Sequence, residues 1–199
     1  MPKPKGKNQD LFDATHRTVL HAATVLFAQA GFDHVTTKMI ADQAGVAQGS
    51  VFHHFKTKRD LFIEVHNQYQ LQLIGHIDAA AAEATSPEDR FDRIWRAYLS
   101  STQDPAMRQI LLLDGPQVIG LKALRAQDRE TAFAFFIEEL DALRQAGFIA
   151  PKSLRALAVL LFGALDQAAF EMADFPEDTA LRQSLLEMMA ELIESLKRR

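Results

Sequence analysis

The chain of 199 residues contains no cysteine, so disulfides, thiolate metal sites and cysteine nucleophiles are excluded at once. Its longest apolar run, Ala156 to Leu165, is about half of the roughly 20 residues a membrane span requires. The opening MPKPKGKNQD carries charge but no apolar stretch of the kind a secretory signal has. A soluble cytoplasmic protein with no membrane partner is the expectation. Strand signals are just as scarce. No alternation of period two is sustained, and Ala, Leu, Gln, Glu and Arg dominate, so the expected fold class is all-α.

Catalytic signatures are missing too. No glycine-rich phosphate loop or nucleophile elbow is present. Of the seven histidines, His16 and His21 are five apart and His53 and His54 are adjacent. Neither pair gives the i, i+4 face of a helical metal site. No catalytic residue, metal or cofactor is expected, and the chain does not read as an enzyme.

What is present begins with a charge asymmetry inside a net charge of −4. Residues 1–60 hold eight basic and five acidic side chains, +3, and the remainder holds 14 basic and 21 acidic, −7. A basic head on an acidic body fits a polyanion-binding module joined to a part that avoids the polyanion. The expected domains are residues 1–60 and residues 61–199, with residues 1–11 a disordered basic tail carrying Lys3, Lys5 and Lys7.

Within the head, Val19, Ala23, Leu26, Phe27 and Ala30 stripe a first helix over 13–30, which Gly31 stops. Thr36 caps a second helix with Ile40, Ala41 and Ala44 inside. Ala44-Gly45-Val46 turns into a third helix, Gln48 to Phe55, and Thr57 caps a long fourth over 58–83. At 100° per residue, Val51 and Phe55 share the inner side of the third helix, while Gly49 and His53 point away with Ser50 beside them. Gln48 lies in the first turn, and Phe52 and His54 take the flanks. Gln can pair bidentately with adenine, His and Ser can bond base edges, and Gly49 leaves room for close approach. Lys58 and the N–H groups that open the fourth helix suit a phosphate.

These residues resemble the tetracycline-repressor (TetR) family. The pattern is Phe27, Gly31, Thr36-Thr37, Ile40-Ala41, Ala44-Gly45-Val46, Gly49, Phe52, Phe55 and Lys58, across residues 16 to 62. The resemblance implies that Lys38, Gln48, Gly49, Ser50 and His53 face bases, and that Thr37, Phe52, His54 and Lys58 hold the phosphate backbone. Two positions depart from the family. Phe52 stands where Tyr is usual, removing a phenol hydroxyl, and Ala47 stands where a capping Ser is common.

Beyond the head, Ser86-Pro87 and Asp104-Pro105 announce helix starts, with the second helix ending at Asp114-Gly115-Pro116. A long helix is expected over 116–146, another from Pro151 to 173, and a last one from Asp178 or Thr179 to 196. Two apolar stripes look made for pairing. One is Leu154, Leu157, Ala158, Leu161, Leu165 and Ala168, with Gly163 and Ala164. The other is Leu181, Leu185, Met188, Leu192 and Leu196, widened by Met189 and Ile193. A four-helix homodimer interface is the expectation, as the resemblance also implies, and it predicts a near-palindromic operator.

Candidate lining for a small-molecule effector is Phe91, Trp95, Tyr98, Met107, Leu111, Val118, Phe133, Phe136, Ile137 and Phe162. His66, Asp114, Asp166 and Gln167 are polar groups at otherwise apolar positions. The function expected is a ligand-responsive DNA-binding regulator, by family default a repressor. A helical interaction protein without DNA binding, or an activator using the same head, are the alternatives.

Overall fold

The computed structural model describes residues 7–197, with side chains from Asp10 onward. These residues form α-helices and no β-strand, apart from one antiparallel bridge between Ile149 and Lys197. The chain divides into two compact units, one ending at Tyr69 and one starting at Gln70.

The first unit, the head, contains α1 (Lys7–Ala30), α2 (Thr37–Ala44), α3 (Gln48–His54) and the first half of α4 (Lys58–Ala82). α1 starts earlier than its apolar stripe predicts, so residues 7–12 are helical, which corrects the expected tail over 7–11; residues 1–6 of that tail lie outside the described residues. Gly31 and Gly45 adopt φ of 76° and 67°, the left-handed region that stops a helix at little cost only for glycine. The Thr36 hydroxyl accepts from Met39 N at 3.2 Å. The Thr57 hydroxyl accepts from Asp60 N at 3.0 Å and donates to the Asp60 carboxylate at 2.8 Å, which fixes the start of α4. Val19, Ala23, Phe27, Val35, Ile40, Val51, Leu61, Phe62 and Val65 are buried. The Phe27, Phe32 and Phe62 rings meet at 5.3–5.7 Å.

The second unit, the body, holds the rest of α4, then α5 (Pro87–Ser101) and α6 (Pro105–Met107). Ser86 and Asp104 cap α5 and α6 as predicted. The expected break at Asp114-Gly115-Pro116 is not one. The helical path runs on through π-helical turns over Arg108–Asp114 and Pro116–Gly120, because Gly115 keeps right-handed helical angles. The long helix predicted over 116–146 is instead interrupted at Gly120, φ 96°, and at Thr131, giving α7 (Leu121–Glu130) and α8 (Ala132–Gln145). α9 (Leu154–Asp174) starts after Ser153, whose hydroxyl accepts from Ala156 N at 3.2 Å, three residues past Pro151. Asp178 caps α10 (Thr179–Ser195).

The core of the body gathers Phe91, Trp95 and Leu99 of α5, Phe136, Leu140 and Leu143 of α8, and the inner side of α9. Arg90 bridges Glu139 through two near-equal bonds of 2.9 and 3.0 Å and also donates to Ala81 O at 3.3 Å. That pairing satisfies the carboxylate of Glu139, which is otherwise buried. By length and composition α9 could cross a membrane. Its inner side is occupied by Ala158, Leu161, Leu165, Ala168 and Met172, as in a core helix.

Candidate nucleic-acid interface

Two buried residues orient α3: Val51, 1% exposed, and Phe55, its C-cap. With those turned inward, Gln48, Gly49, Phe52 and His53 are exposed and Ser50 is half-buried. Lys38 of α2 is exposed on the same helix-turn-helix and pairs with Asp42 at 2.7 Å. A solvated i, i+4 pair of this kind is worth well under 1 kcal/mol, so the ammonium can exchange Asp42 for another acceptor. The Gln48 side-chain amide donates to the Thr37 hydroxyl at 3.1 Å, which ties the first residue of α3 to the first residue of α2. A Cβ built on Gly49 meets nothing within 4 Å. The protein therefore has no packing reason for glycine there.

Two side chains expected at phosphates are placed otherwise. The Lys58 ammonium donates to Phe32 O at 2.8 Å and to Val35 O at 2.9 Å, and it lies 3.8 Å from the centre of the Phe32 ring. It closes the α1–α2 turn because the first residue of α4 projects onto the carbonyls that follow α1. Lys56 is exposed and makes no hydrogen bond or ion pair among the described residues, so the free cation stands two positions earlier. His54 is half-buried against Phe12, with Nδ1 buried and unpartnered. Burial, and then the charges of His16 and His53, hold its pKa below the usual 6.5. A neutral, inward ring is a poor phosphate ligand. Phe52, 48% exposed, presents a ring without a hydroxyl. Ala47 gives α3 no side-chain cap, which costs roughly 0.5–2 kcal/mol against Ser.

The residues expected to form a dimer interface separate into two groups. Ala158, Leu161, Leu165 and Ala168 are buried in the protomer's own core, and Leu154, Leu157, Ala164, Leu185, Ile193 and Leu196 pack partly against it. The first four serve the protomer's own core, whereas the partly buried residues, and Leu181 with them, keep part of their surface exposed. Gly163, Met188 and Leu192 do lie outside. Val159 and Leu160 of α9 are exposed as well, 55% and 71%, beside Met188 at 60% and Leu192 at 43% on α10 as the exposed large apolar side chains of these two helices.

The candidate effector residues are also sorted by burial. Phe91, Trp95 and Phe136 are fully buried core residues, with Tyr98, Phe133, Ile137 and Phe162 partly buried against them. Met107 is buried, and Leu111 and Val118 are half-buried in the π-helical turns. The Tyr98 hydroxyl donates to the Asp166 carboxylate at 3.0 Å. Burial raises Asp166 to about 6, an effect that the Tyr98 bond partly opposes. The Phe133 and Phe162 rings meet edge-on at 5.5 Å. Asp114 is buried, whereas Gln167 is exposed and bonded to Glu171. His66 belongs to the first unit, 1% exposed and 6.3 Å from the Phe62 ring, and burial lowers its pKa to about 4.

A short, inwardly anchored helix presenting polar side chains after a glycine turn defines the helix-turn-helix class of regulators. Residues 19–65 match the family model described as bacterial regulatory proteins of the tetR family, and residues 88–196 match the tetracyclin repressor-like C-terminal domain. The chain belongs to the TetR family. It is similar to the tetracycline repressor protein class A from transposon 1721 of Escherichia coli, 32% identical over 148 residues, covering 73% of this chain and 61% of that one. It is also similar to the HTH-type transcriptional repressor KstR2 of Mycolicibacterium smegmatis, 29% identical over 96 residues, 48% and 47% of the two chains. The match thus spans about half to three-fifths of these relatives' length. A TetR-family transcriptional regulator from Pectobacterium atrosepticum shares the fold, with a TM-score of 0.82 at 24% identity over 98% of this chain and 99% of that one.

Proposed function

We propose that the protein is a cytoplasmic, ligand-responsive transcriptional repressor that binds a near-palindromic duplex site as a homodimer. The observation that carries this reading is the row Lys38, Gln48, Gly49, Ser50 and His53. All of these but the half-buried Ser50 are exposed, and the other side of α3 is pinned by Val51 and Phe55. In the major groove, Gln48 and His53 read base edges, and Gly49 admits the backbone close to them. Lys56, Thr37 and the N–H groups that open α4 hold phosphates. Lys58 supports the head from within.

Two copies pair through Val159, Leu160 and Gly163 of α9 with Met188 and Leu192 of α10, an apolar face that a monomer would leave in water. The effector binds in the body at the Tyr98–Asp166 pair, with Phe133 and Phe162 of the same apolar cluster as its apolar contacts. α4 is one continuous helix from Lys58 to Ala82 and crosses the boundary between units, so it is the covalent route by which the body addresses the head. An effector favouring one arrangement of the body shifts DNA affinity by its differential affinity for the two arrangements.

Selection of bound sites from random duplexes tests the reading. The expected result is two related half-sites about one helical turn apart, or a multiple of that. Lys56→Ala should weaken binding to every sequence and lower the salt slope by about one. A chain that stays monomeric and ignores duplexes at low ionic strength is instead a helical interaction protein. An activator would share the head, and a reporter driven from the selected site distinguishes the two by the sign of its response.

A further inference from the structure

The reading helix is weakly anchored by its own sequence. It has seven residues, no side-chain cap at Ala47, and one buried residue, Val51, before Phe55 closes it. Its outer flank rests on the first turns of α1. The Phe12 ring lies 4.1 Å from the His54 ring and meets the His53 ring edge-on at 5.6 Å and 80°. One turn on, His16 stacks 4.6 Å from Phe55 and 5.7 Å from His54, and its Nε2 stands 3.4 Å from Glu64. The aromatic contacts of His53 are Phe12 and its own neighbour His54. No hydrogen bond holds the His53 imidazole among the described residues.

Phe12 is 38% exposed, so core burial does not account for its place. An edge-to-face pair is directional: the positive edge of one ring seeks the negative face of the other, which restricts the torsions of both side chains. A side chain that must meet a base edge within a few tenths of an ångström gains from such a restriction, because its alternatives are removed before binding. We propose that Phe12 is a positioning residue for sequence readout, its ring setting the direction in which His53 leaves α3. The inference rests on the reading that His53 faces bases. It extends the DNA-reading surface to a residue that touches no base, at the start of a helix usually regarded as support.

The test compares site selection and duplex titration for the full-length wild type with Phe12→Ala, Phe12→Leu, Phe12→Trp, His53→Ala and the double variant Phe12→Ala/His53→Ala. Phe12→Leu keeps apolar bulk without a ring face and covers the case in which Phe12→Ala fails to fold. The expected result is a loss of about threefold to tenfold in discrimination at the base position that His53→Ala alters. Phe12→Trp restores that discrimination, and Phe12→Ala adds nothing in the His53→Ala background. Weaker binding to all sequences with preference intact would overturn the positioning role, and so would additive effects of the two changes. If His53→Ala itself leaves the preference unchanged, the base-reading assignment fails first, and that outcome is visible without any Phe12 variant.

Discussion

In the head, the chain turns where Gly31 and Gly45 take left-handed angles and starts α2 where Thr36 caps it. In the body, Ser86, Asp104, Ser153 and Asp178 start helices in the same way, but which face of a helix is inside rests on its apolar stripe, and α9 is apolar on both sides. Ala158 and Leu161 are buried, yet Val159 and Leu160 between them are 55% and 71% exposed. A left-handed glycine or a side-chain cap has one structural meaning at its position. An apolar residue on a helix that is apolar all round has at least two, core or partner surface. The two units are therefore specified with unequal sharpness, although both are wholly helical.

The contrast is broken most forcefully on α9. Leu160→Glu combined with Met188→Glu should abolish pairing of chains, raising the dissociation constant by about a hundredfold or more, since an interface cannot bury unpaired carboxylates. Leu161→Ala, one position along, should cost roughly 2–5 kcal/mol of stability by leaving a cavity. Sedimentation equilibrium and urea unfolding separate the two effects. If Leu161→Ala dissociated the dimer and the double glutamate variant did not, the inner and outer faces would have to be exchanged.

Acid should divide the units next. His66 in the head has its pKa lowered to about 4 from 6.5, so the native head disfavours the proton, and its stability falls as pH drops below 6.5. Asp166 in the body is raised from 3.8 to about 6, so the native body favours the proton, and its contribution is lost as pH rises through about 6. Between pH 7 and pH 5 the head should lose about 2 kcal/mol from His66, while the body gains about 1 kcal/mol from Asp166. Amide exchange resolved by region at the two pH values checks the opposite signs. Loss of protection in the body as well as the head would refute the assignment of Asp166, and an unchanged head would refute that of His66.

The smallest test compares two glycines of the head. Gly45→Ala should cost roughly 1–2 kcal/mol from φ alone, since a Cβ there meets nothing within 4 Å. Gly49→Ala should raise stability by roughly 0.5–1 kcal/mol, as expected inside a helix, and still weaken duplex binding. Thermal melts set beside duplex titrations report both. Undiminished affinity in the Gly49→Ala variant would show that no close approach occurs there.

Much of the head was legible in advance: four helices, the caps of α2 and α4, both glycine stops and the outward set on α3 follow from residues with fixed local geometry. The roles of Lys58 and His54 were not, because spacing places a side chain on a face but does not say which acceptor it reaches. Lys58 finds two carbonyls after α1, and His54 finds Phe12, both contacts between segments distant in sequence. In the body, the starts of α5, α6 and α10 were legible from Ser86, Asp104 and Asp178. The π-helical turns were not, since their i→i+5 bonding leaves no periodic signature in so short a stretch. Nor could sequence show that Thr131 divides α7 from α8, as Thr is tolerated inside helices.

Lys58 also leaves the protein with a built-in control for chemical footprinting. Its amine is occupied by Phe32 O and Val35 O, whereas that of Lys56, two residues away, faces water. An amine-specific acylating reagent should thus mark Lys56 readily and Lys58 slowly while the head is folded. Protection of Lys56 on adding a duplex would report occupancy, and any rise in Lys58 labelling would report opening of the head, so one peptide carries both the signal and its reference.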